Sequence, residues 1–326
     1  MRRVTAVILT TIVIFTLLSG CTGTVLYDGG KMSIVCTIFP QYDWVCQILG
    51  DRADDYELTL LLSGRVDLHS FQPTVQDFAR VSSCDLFIYV GGESEGWVEG
   101  ALKEAANKDM VAINLLDTLG AVAKEEEILE GMIREEPKNG NNYQIGYDEH
   151  VWLSPGNAII FCRAIAGVIS LLDAGNAETY GSNLSGYIAK LEALDSQYRA
   201  AVEAAPASTL VFGDRFPFRY LTDDYGLIPF AAFPGCSAET EASFETFIFL
   251  ANKMDELGLG YILVTESADR SVARAVIGNT REKNQQILVL NSMQSVSPDD
   301  MRNGATYISI MESNLNILRE ALGSRE

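Results

Sequence analysis

The sequence has few basic residues. It contains 24 Lys and Arg against 44 Asp and Glu, which gives a formal net charge of −20 at pH 7. A surface with such an excess of negative charge repels phosphate backbones and anionic lipid surfaces at long range, and it attracts cations. The composition therefore argues against a nucleic-acid partner.

Proline and closely spaced cysteines are also scarce. Only 9 of 326 residues are proline and 48% are apolar, which is typical of a chain that folds around a sizeable core. The length predicts two lobes or one large domain. Apart from Cys21, the cysteines lie far apart and form no CxxC pair, so we interpret them as buried packing thiols: Cys36, Cys46, Cys84, Cys162 and Cys236. Pairing of Cys36 with Cys84 is the alternative.

The longest apolar run lies at the N-terminus. Two arginines precede an uncharged stretch at 4–18, as in a secretion signal, and this stretch is short for a membrane span of about 20 residues. It ends in Leu-Ser-Gly-Cys, which resembles the bacterial lipobox. The resemblance implies that residues 1–20 are a lipoprotein signal peptide, that Cys21 is lipidated, and that 21–32 form a tether to the membrane.

Strand-like and helical segments alternate along the rest of the chain, which predicts an α/β fold. The predicted strands lie at 33–39, 56–62, 86–90, 110–114, 209–212, 227–233, 260–265 and 286–290. The predicted helices lie at 43–49, 74–81, 95–106, 216–224, 241–257, 271–281 and 305–322, with a further helix after Ser154-Pro155. An acidic stretch at 124–149 is predicted to be a surface loop.

One long helical segment, 177–204, separates the two α/β series. Its apolar residues recur at spacings of three and four over about seven turns, from Tyr180 to Val202. At 1.5 Å per residue it would span roughly 40 Å, enough to cross a domain. We therefore predict an N-terminal lobe at 33–175 and a C-terminal lobe at 206–326, joined by a rigid helix at 176–205. Each lobe would be a mostly parallel sheet flanked by helices.

Histidine is rarer than proline or cysteine, and the chain contains only two. His69 and His150 each lie in a loop just before a segment with helix-capping signals. Imidazole is the commonest transition-metal ligand near neutral pH, and Asp148 or Glu149 could accept a hydrogen bond from the second ring nitrogen of His150. A metal site is one interpretation, and ordinary hydrogen-bonded histidines are the other.

Three motifs resemble the metal-binding lipoproteins of bacterial ABC importers: TIFP at 37–40, HSFQPT at 69–74 and DEHVWLSPGNA at 148–158. That family comprises the zinc and manganese solute-binding proteins related to the zinc-uptake periplasmic protein and the pneumococcal surface adhesin. The resemblance covers nearly the whole mature chain. It implies a lipid-anchored, extracytoplasmic monomer that holds zinc or manganese between its lobes and delivers it to an ABC permease. It also assigns metal-ligand roles to His69 and His150.

The resemblance defines the other ligands less clearly. The family's third ligand, His in zinc binders and Glu in manganese binders, precedes a Phe-x-Tyr helix, and Asp214 is the candidate there, with a helix-capping role as the alternative. The fourth ligand is an Asp in the family, and Gln294 stands in its place. Glu266 or water could substitute for it. Two histidines with oxygen ligands suit manganese, iron or zinc, and the Irving–Williams order favours zinc.

A catalytic alternative comes from Gly-Glu-Ser-Glu-Gly at 92–96, which fits the G-x-S-x-G pattern of serine hydrolases between a strand and a helix. The triad would then combine Ser94 with His150 and with Asp117 or Asp148. No HGGG-type oxyanion loop accompanies the motif, and we expect no catalysis. A purely adhesive lipoprotein of the same fold is a third possibility.

Overall fold

The computed structural model describes residues 30–64, 66–132, 146–236 and 243–323. The predicted signal peptide, the lipidation site Cys21 and most of the tether lie outside the described residues, as does the middle of the acidic stretch. The architecture below is that of the compact unit Met32–Glu326.

Two four-stranded parallel sheets form the framework. The first has the order β2-β1-β3-β4 and the second the order β6-β5-β7-β8. The strands are β1 (Ser33–Cys36), β2 (Glu57–Leu60), β3 (Leu86–Tyr89), β4 (Val111–Asn114), β5 (Thr209–Phe216), β6 (Ile228–Pro234), β7 (Tyr261–Val264) and β8 (Gln286–Val289). These positions confirm the predicted α/β fold with two parallel sheets.

Helices flank both sheets, as the burial of parallel strands requires. Within the described residues they are α1 (Phe39–Leu49), α2 (Val75–Ser83), α3 (Val98–Lys103), α4 (Leu115–Leu119), α5 (Pro155–Leu172), α6 (Ala177–Glu203), α7 (Arg219–Tyr225), α8 (Phe244–Leu257), α9 (Ser271–Asn279), α10 (Pro298–Arg302) and α11 (Tyr307–Ala321). α5 is long and apolar enough to span a membrane by length and composition. Its Phe161, Ile165 and Ile169 nevertheless lie in the core, so we interpret it as a core helix.

The long helix α6 is present with nearly the predicted bounds. It packs on α1 and α5 beside the first sheet and on α11 beside the second. Tyr187, Leu191 and Tyr198 line its buried face, and the hydroxyl of Tyr198 donates to the carbonyl of Met311 in α11 at 2.6 Å. One rigid element therefore contacts both halves of the molecule.

The helix starts show which local signals determined the structure. Thr74 forms the predicted capping box with Asp77, and Ser154 caps α5 through the backbone N–H of Asn157. The prediction for the first helix was wrong at its start, because α1 begins at Phe39 and Pro40 occupies its first turn, a position that suits proline. The predicted helix at 95–106 is reduced to α3, and the short helices α4 and α10 were not predicted.

All five described cysteines are free, so the alternative of a Cys36–Cys84 disulfide is not realised. The buried Cys84 thiol instead donates to the carbonyl of Val81 at 3.2 Å.

The two sheets meet through segments that follow their strands. The indole N–H of Trp152 donates to the carbonyl of Ser292 at 2.9 Å, and the hydroxyl of Tyr307 donates to the carbonyl of Trp152 at 2.8 Å. In parallel α/β sheets, ligands bind beyond the carboxyl ends of the strands. The contact region between the two sheets is therefore the place to look for a binding site.

Candidate metal site

The two histidines meet at the edge of the first sheet. His69 lies in the short turn Leu68–Ser70 after β2, where the carboxylate of Asp67 accepts its backbone N–H at 2.9 Å. His150 immediately precedes the turn Val151–Leu153 and is fully buried. The Nε2 atoms of the two rings are 3.1 Å apart. Residues 81 positions apart in sequence thus face each other through equivalent nitrogens.

Each histidine is held through its other nitrogen. Nδ1 of His150 lies 3.0 Å from Oδ1 of Asp148, which also accepts the backbone N–H of His150. Nδ1 of His69 lies 2.7 Å from the hydroxyl of Ser94 and 3.5 Å from Oε2 of Glu149. Acceptors at Nδ1 favour the tautomer that carries its proton there, which directs the lone pair of Nε2 outward.

The G-x-S-x-G motif explains how Glu149 comes so close. Gly92 adopts φ +86°, and a Cβ at this position would lie 2.3 Å from Oε1 of Glu149. The same carboxylate oxygen accepts the backbone N–H of Ser94 at 2.9 Å. The glycine therefore makes room for the acid behind His69. The structure does not assemble the alternative triad, because Ser94 contacts His69 rather than His150.

The geometry of the pair suits a metal cation. Two lone pairs facing each other at 3.1 Å repel unless a proton or a cation lies between them. In tetrahedral zinc sites, Zn–N distances of 2.0–2.1 Å place two nitrogens about 3.3 Å apart. The observed separation is close to that value.

Without metal, the two imidazoles share the charge unequally. Burial and then the charge of His150 lower the pKa of His69 to about 3. Burial is the largest effect on His150 and acts to lower its pKa. The charge and hydrogen bond of Asp148, with the charges of Glu149 and Asp67, together outweigh burial, so this pKa is raised above the usual value. These shifts favour a proton on His150 rather than on His69, and a bound metal would displace that proton.

Cys236 is a member of this cluster that the sequence analysis did not identify. One ligand atom each from His69, His150 and Cys236 lie within 4.8 Å of one another. The isolated cysteine was interpreted as a packing residue because it has no ligand-like spacing in sequence. It follows β6, so the second sheet brings it to the histidines. Burial, followed by the charges of Asp148 and Glu126, raises the pKa of its thiol.

The third predicted ligand, Asp214, is not in this cluster. Its Oδ2 accepts the backbone N–H of Thr265 at 3.0 Å and also the Thr265 hydroxyl, which ties β5 to the end of β7. The next residue, Arg215, points to the first sheet instead, with Nη2 2.7 Å from Oδ2 of Asp67. Although burial opposes it, the charges of His69 and Arg215 hold the pKa of Asp67 below its usual value.

The remaining predicted oxygen donors differ in their availability. Glu266 accepts hydrogen bonds from the backbone N–H groups of Ser292, Gln294 and Ser295, so both carboxylate oxygens are engaged in holding that loop. Gln294 is only 9% exposed, and its Oε1 has no hydrogen-bond partner within the described part of the chain. An unpaired buried oxygen is available as a ligand, whereas Glu266 supports the loop that carries it.

Comparison with known proteins identifies the family. The profile of the zinc-uptake complex component A periplasmic family, ZnuA, matches residues 34–321. The chain belongs to this family. It is 31% identical over 292 residues to the zinc-binding lipoprotein AdcA of Streptococcus pneumoniae serotype 4, covering 89% of this chain and 56% of that relative. The chain thus spans about half the length of this streptococcal relative.

Another relative is matched over most of its length. The high-affinity zinc uptake system protein ZnuA of Bacillus subtilis is 30% identical over 296 residues, which is 90% of this chain and 88% of the relative. These matches confirm the resemblance stated from the motifs.

Solved structures of related proteins have the same fold. The metal-dependent lipoprotein YcdH from Bacillus subtilis superposes with a TM-score of 0.71 at 29% identity, covering 90% of this chain and 99% of that one. The Zn(II)-bound ZnuA-like domain of Streptococcus pneumoniae AdcA has a TM-score of 0.69 at 28% identity, with the same coverage of both chains.

Proposed function

We propose that the protein captures zinc outside the cytoplasm and delivers it to an ABC import permease. The observation that carries this proposal is the pair of Nε2 atoms, 3.1 Å apart, with both Nδ1 atoms facing hydrogen-bond acceptors. Such an arrangement directs both Nε2 atoms at one cation, which replaces the proton between them. The names of the relatives, zinc-binding lipoprotein and zinc uptake system protein, support zinc over manganese.

A binding role accounts for the site better than hydrolysis does. In a serine hydrolase triad the nucleophile contacts Nε2 of the histidine and an acid contacts Nδ1. Here Ser94 and Glu149 are both on the Nδ1 side of His69, and Nε2 faces a second histidine. Asp117 lies at the start of α4, where its backbone N–H donates to Oδ1 of the capping residue Asn114. The hydroxyl of Ser94 therefore serves to orient His69.

The rest of the transport role follows from the chain as a whole. Lipidation at Cys21 would keep the receptor at the membrane, close to its permease. The negative net charge favours encounter with dications. Because the rigid helix α6 contacts both halves, release is expected to use small tilts and local loop motion rather than wide hinge closure. The receptor is expected to act as a monomer.

Removal of either imidazole tests the site. His69→Ala and His150→Ala should each weaken zinc binding by about tenfold or more, because each removes one of the nitrogen ligands. Titration calorimetry on the purified protein measures the affinity, and elemental analysis of protein purified without added metal identifies the natural ion. The matched control is Tyr147→Ala, which changes a residue that is three positions from His150 and 54% exposed. Parental affinity in both histidine variants would refute the site.

A further inference from the structure

We propose that Cys236 binds the metal through its thiolate as a third protein ligand, and that the resulting two-nitrogen, one-sulfur site selects zinc over manganese. This inference rests on the proposed function, because it concerns the ligands of the same site. It also changes the expected ligand set, which the sequence had limited to histidines and oxygen donors.

The distances support a direct ligand. A tetrahedral zinc ion with Zn–N near 2.05 Å and Zn–S near 2.3 Å places sulfur about 3.6 Å from each nitrogen. The three ligand atoms already lie within 4.8 Å of one another without an ion. Among the His, Cys, Asp and Glu side chains in the described ranges, this is the one group of three that is clustered so closely.

The backbone around Cys236 holds it against the histidines. A Cβ on Gly235 would lie 2.6 Å from the carbonyl oxygen of Phe216 and 3.1 Å from Cε1 of His150. The chain therefore passes directly beside the His150 ring, with no room for a side chain at that point. On the other side, the backbone N–H of Cys236 donates to Oε1 of Glu126 at 2.8 Å. Both contacts fix Gly235 and Cys236 at the end of β6.

The location of Cys236 gives the metal a ligand from each sheet. His69 and His150 both belong to segments after strands of the first sheet, whereas Cys236 follows β6 of the second. Two histidines alone would attach the ion to one sheet only. A sulfur ligand makes metal binding depend on the approach of the second sheet, as expected for a receptor that captures its ion between two lobes.

The chemistry of the donors determines which ion is preferred. The two imidazoles are neutral and the amide of Gln294 carries no charge, so a thiolate would provide the negative charge that a dication needs. Thiolate is a soft ligand that zinc accepts readily, whereas manganese prefers carboxylate, carbonyl and water oxygens. The site is therefore expected to discriminate strongly against manganese.

Cobalt substitution tests the sulfur ligand directly. Cobalt(II) bound to the purified full-length protein should show a sulfur-to-cobalt charge-transfer band in the near ultraviolet. Cys236→Ser should abolish the band, and Cys46→Ser, a partly exposed cysteine on α1, should leave it unchanged. Zinc affinity should fall about tenfold or more in Cys236→Ser and in Cys236→Ala, with unfolding temperatures of the metal-free proteins close to that of the parent.

Metal preference provides an independent test. Cys236→Asp replaces the sulfur with a hard oxygen of similar reach and should narrow the zinc-to-manganese affinity ratio about tenfold or more. If the parent binds zinc but shows no charge-transfer band, or if Cys236→Ser keeps the parental zinc affinity, the thiolate inference is refuted and the proposed function stands. If the parent binds no divalent metal at all, the proposed function itself is refuted.

Discussion

Asp148 is the most informative residue to perturb, because it acts on the site without being a candidate ligand. Its side chain is 1% exposed, and a single oxygen, Oδ1, accepts both the backbone N–H and Nδ1 of His150. Asp148→Asn keeps the size of the side chain and an oxygen that can accept these bonds. The orientation of His150 should therefore persist while a full negative charge is lost.

Two opposite effects determine the expected magnitude. Loss of an acid behind a metal-bound histidine typically costs 10- to 100-fold in affinity, about 1.4 to 2.7 kcal/mol. Asp148 also raises the pKa of His150, so the parent must release a proton to bind metal at lower pH. The variant has a lower pKa at His150 and suffers less from this competition. The affinity loss should therefore be full at alkaline pH and smaller at acidic pH.

Competition against a chromophoric zinc chelator at about pH 9 and about pH 6 measures both effects. Asp117→Asn, an exposed acid at the start of α4, is the matched control and should bind zinc like the parent at both values. Parental affinity of Asp148→Asn at alkaline pH would show that the carboxylate does not support the metal. A larger loss at acidic than at alkaline pH would contradict the sign of the proton competition.

Two further predictions concern the surroundings of the site. Burial raises the pKa of Glu95 from 4.5 to about 7. At a pH between these two pKa values the folded state holds a proton that the unfolded state has lost. The free energy of unfolding should therefore fall by about 3 kcal/mol as the pH rises through this interval. Glu95→Gln keeps an oxygen that can accept the N–H of Gly91 but cannot titrate, so it should flatten this pH dependence. Urea unfolding at about pH 5 and about pH 8 measures the free energy of unfolding. An unchanged difference between the two pH values would exclude Glu95 as its source. Gly235→Ala should lower stability by about 1–3 kcal/mol and also weaken zinc binding, because its Cβ would collide with the carbonyl of Phe216. Gly278→Ala is the control in thermal unfolding and zinc titration, because a Cβ at Gly278 would meet no atom within 4 Å. Parental stability and zinc affinity in Gly235→Ala would contradict the close approach of Gly235 to Phe216.

The fold could be predicted because its signals are local and repeated. Each buried parallel strand appears as a short apolar run, and the stripe from Tyr180 to Val202 is long enough to define α6 without any tertiary information. Elements too short for periodicity escaped prediction. α4 and α10 have five residues each, little more than one helical turn, and the start of α1 depended on the conformational preference of Pro40.

The acid and hydroxyl groups behind the histidines were only partly predictable. Asp148 is two residues from His150, so its contact with Nδ1 follows from short-range geometry. Ser94 and Glu149 meet behind His69 across 55 positions of sequence, and the absence of a Cβ at Gly92 leaves room for the Glu149 carboxylate. The G-x-S-x-G motif does lie between a strand and a helix, β3 and α3, but the contact of Ser94 with Glu149 could be identified only in three dimensions.

The residues that the first sheet contributes to the site can be predicted from sequence motifs, whereas those from the second sheet cannot. The first sheet supplies both histidines from continuous motifs in which the orienting Asp67 or Asp148 is two residues away. The second sheet supplies Cys236 and Arg215 from the ends of β6 and β5. The register of β5 shifts between Phe212 and Arg215, and there Asp214 bonds to Thr265 whereas Arg215 reaches Asp67. A one-residue difference along β5 therefore decides that a guanidinium rather than an acid reaches Asp67, two residues before His69. That outcome depends on the position of β5 against the other sheet, which is tertiary geometry that motif spacing cannot encode.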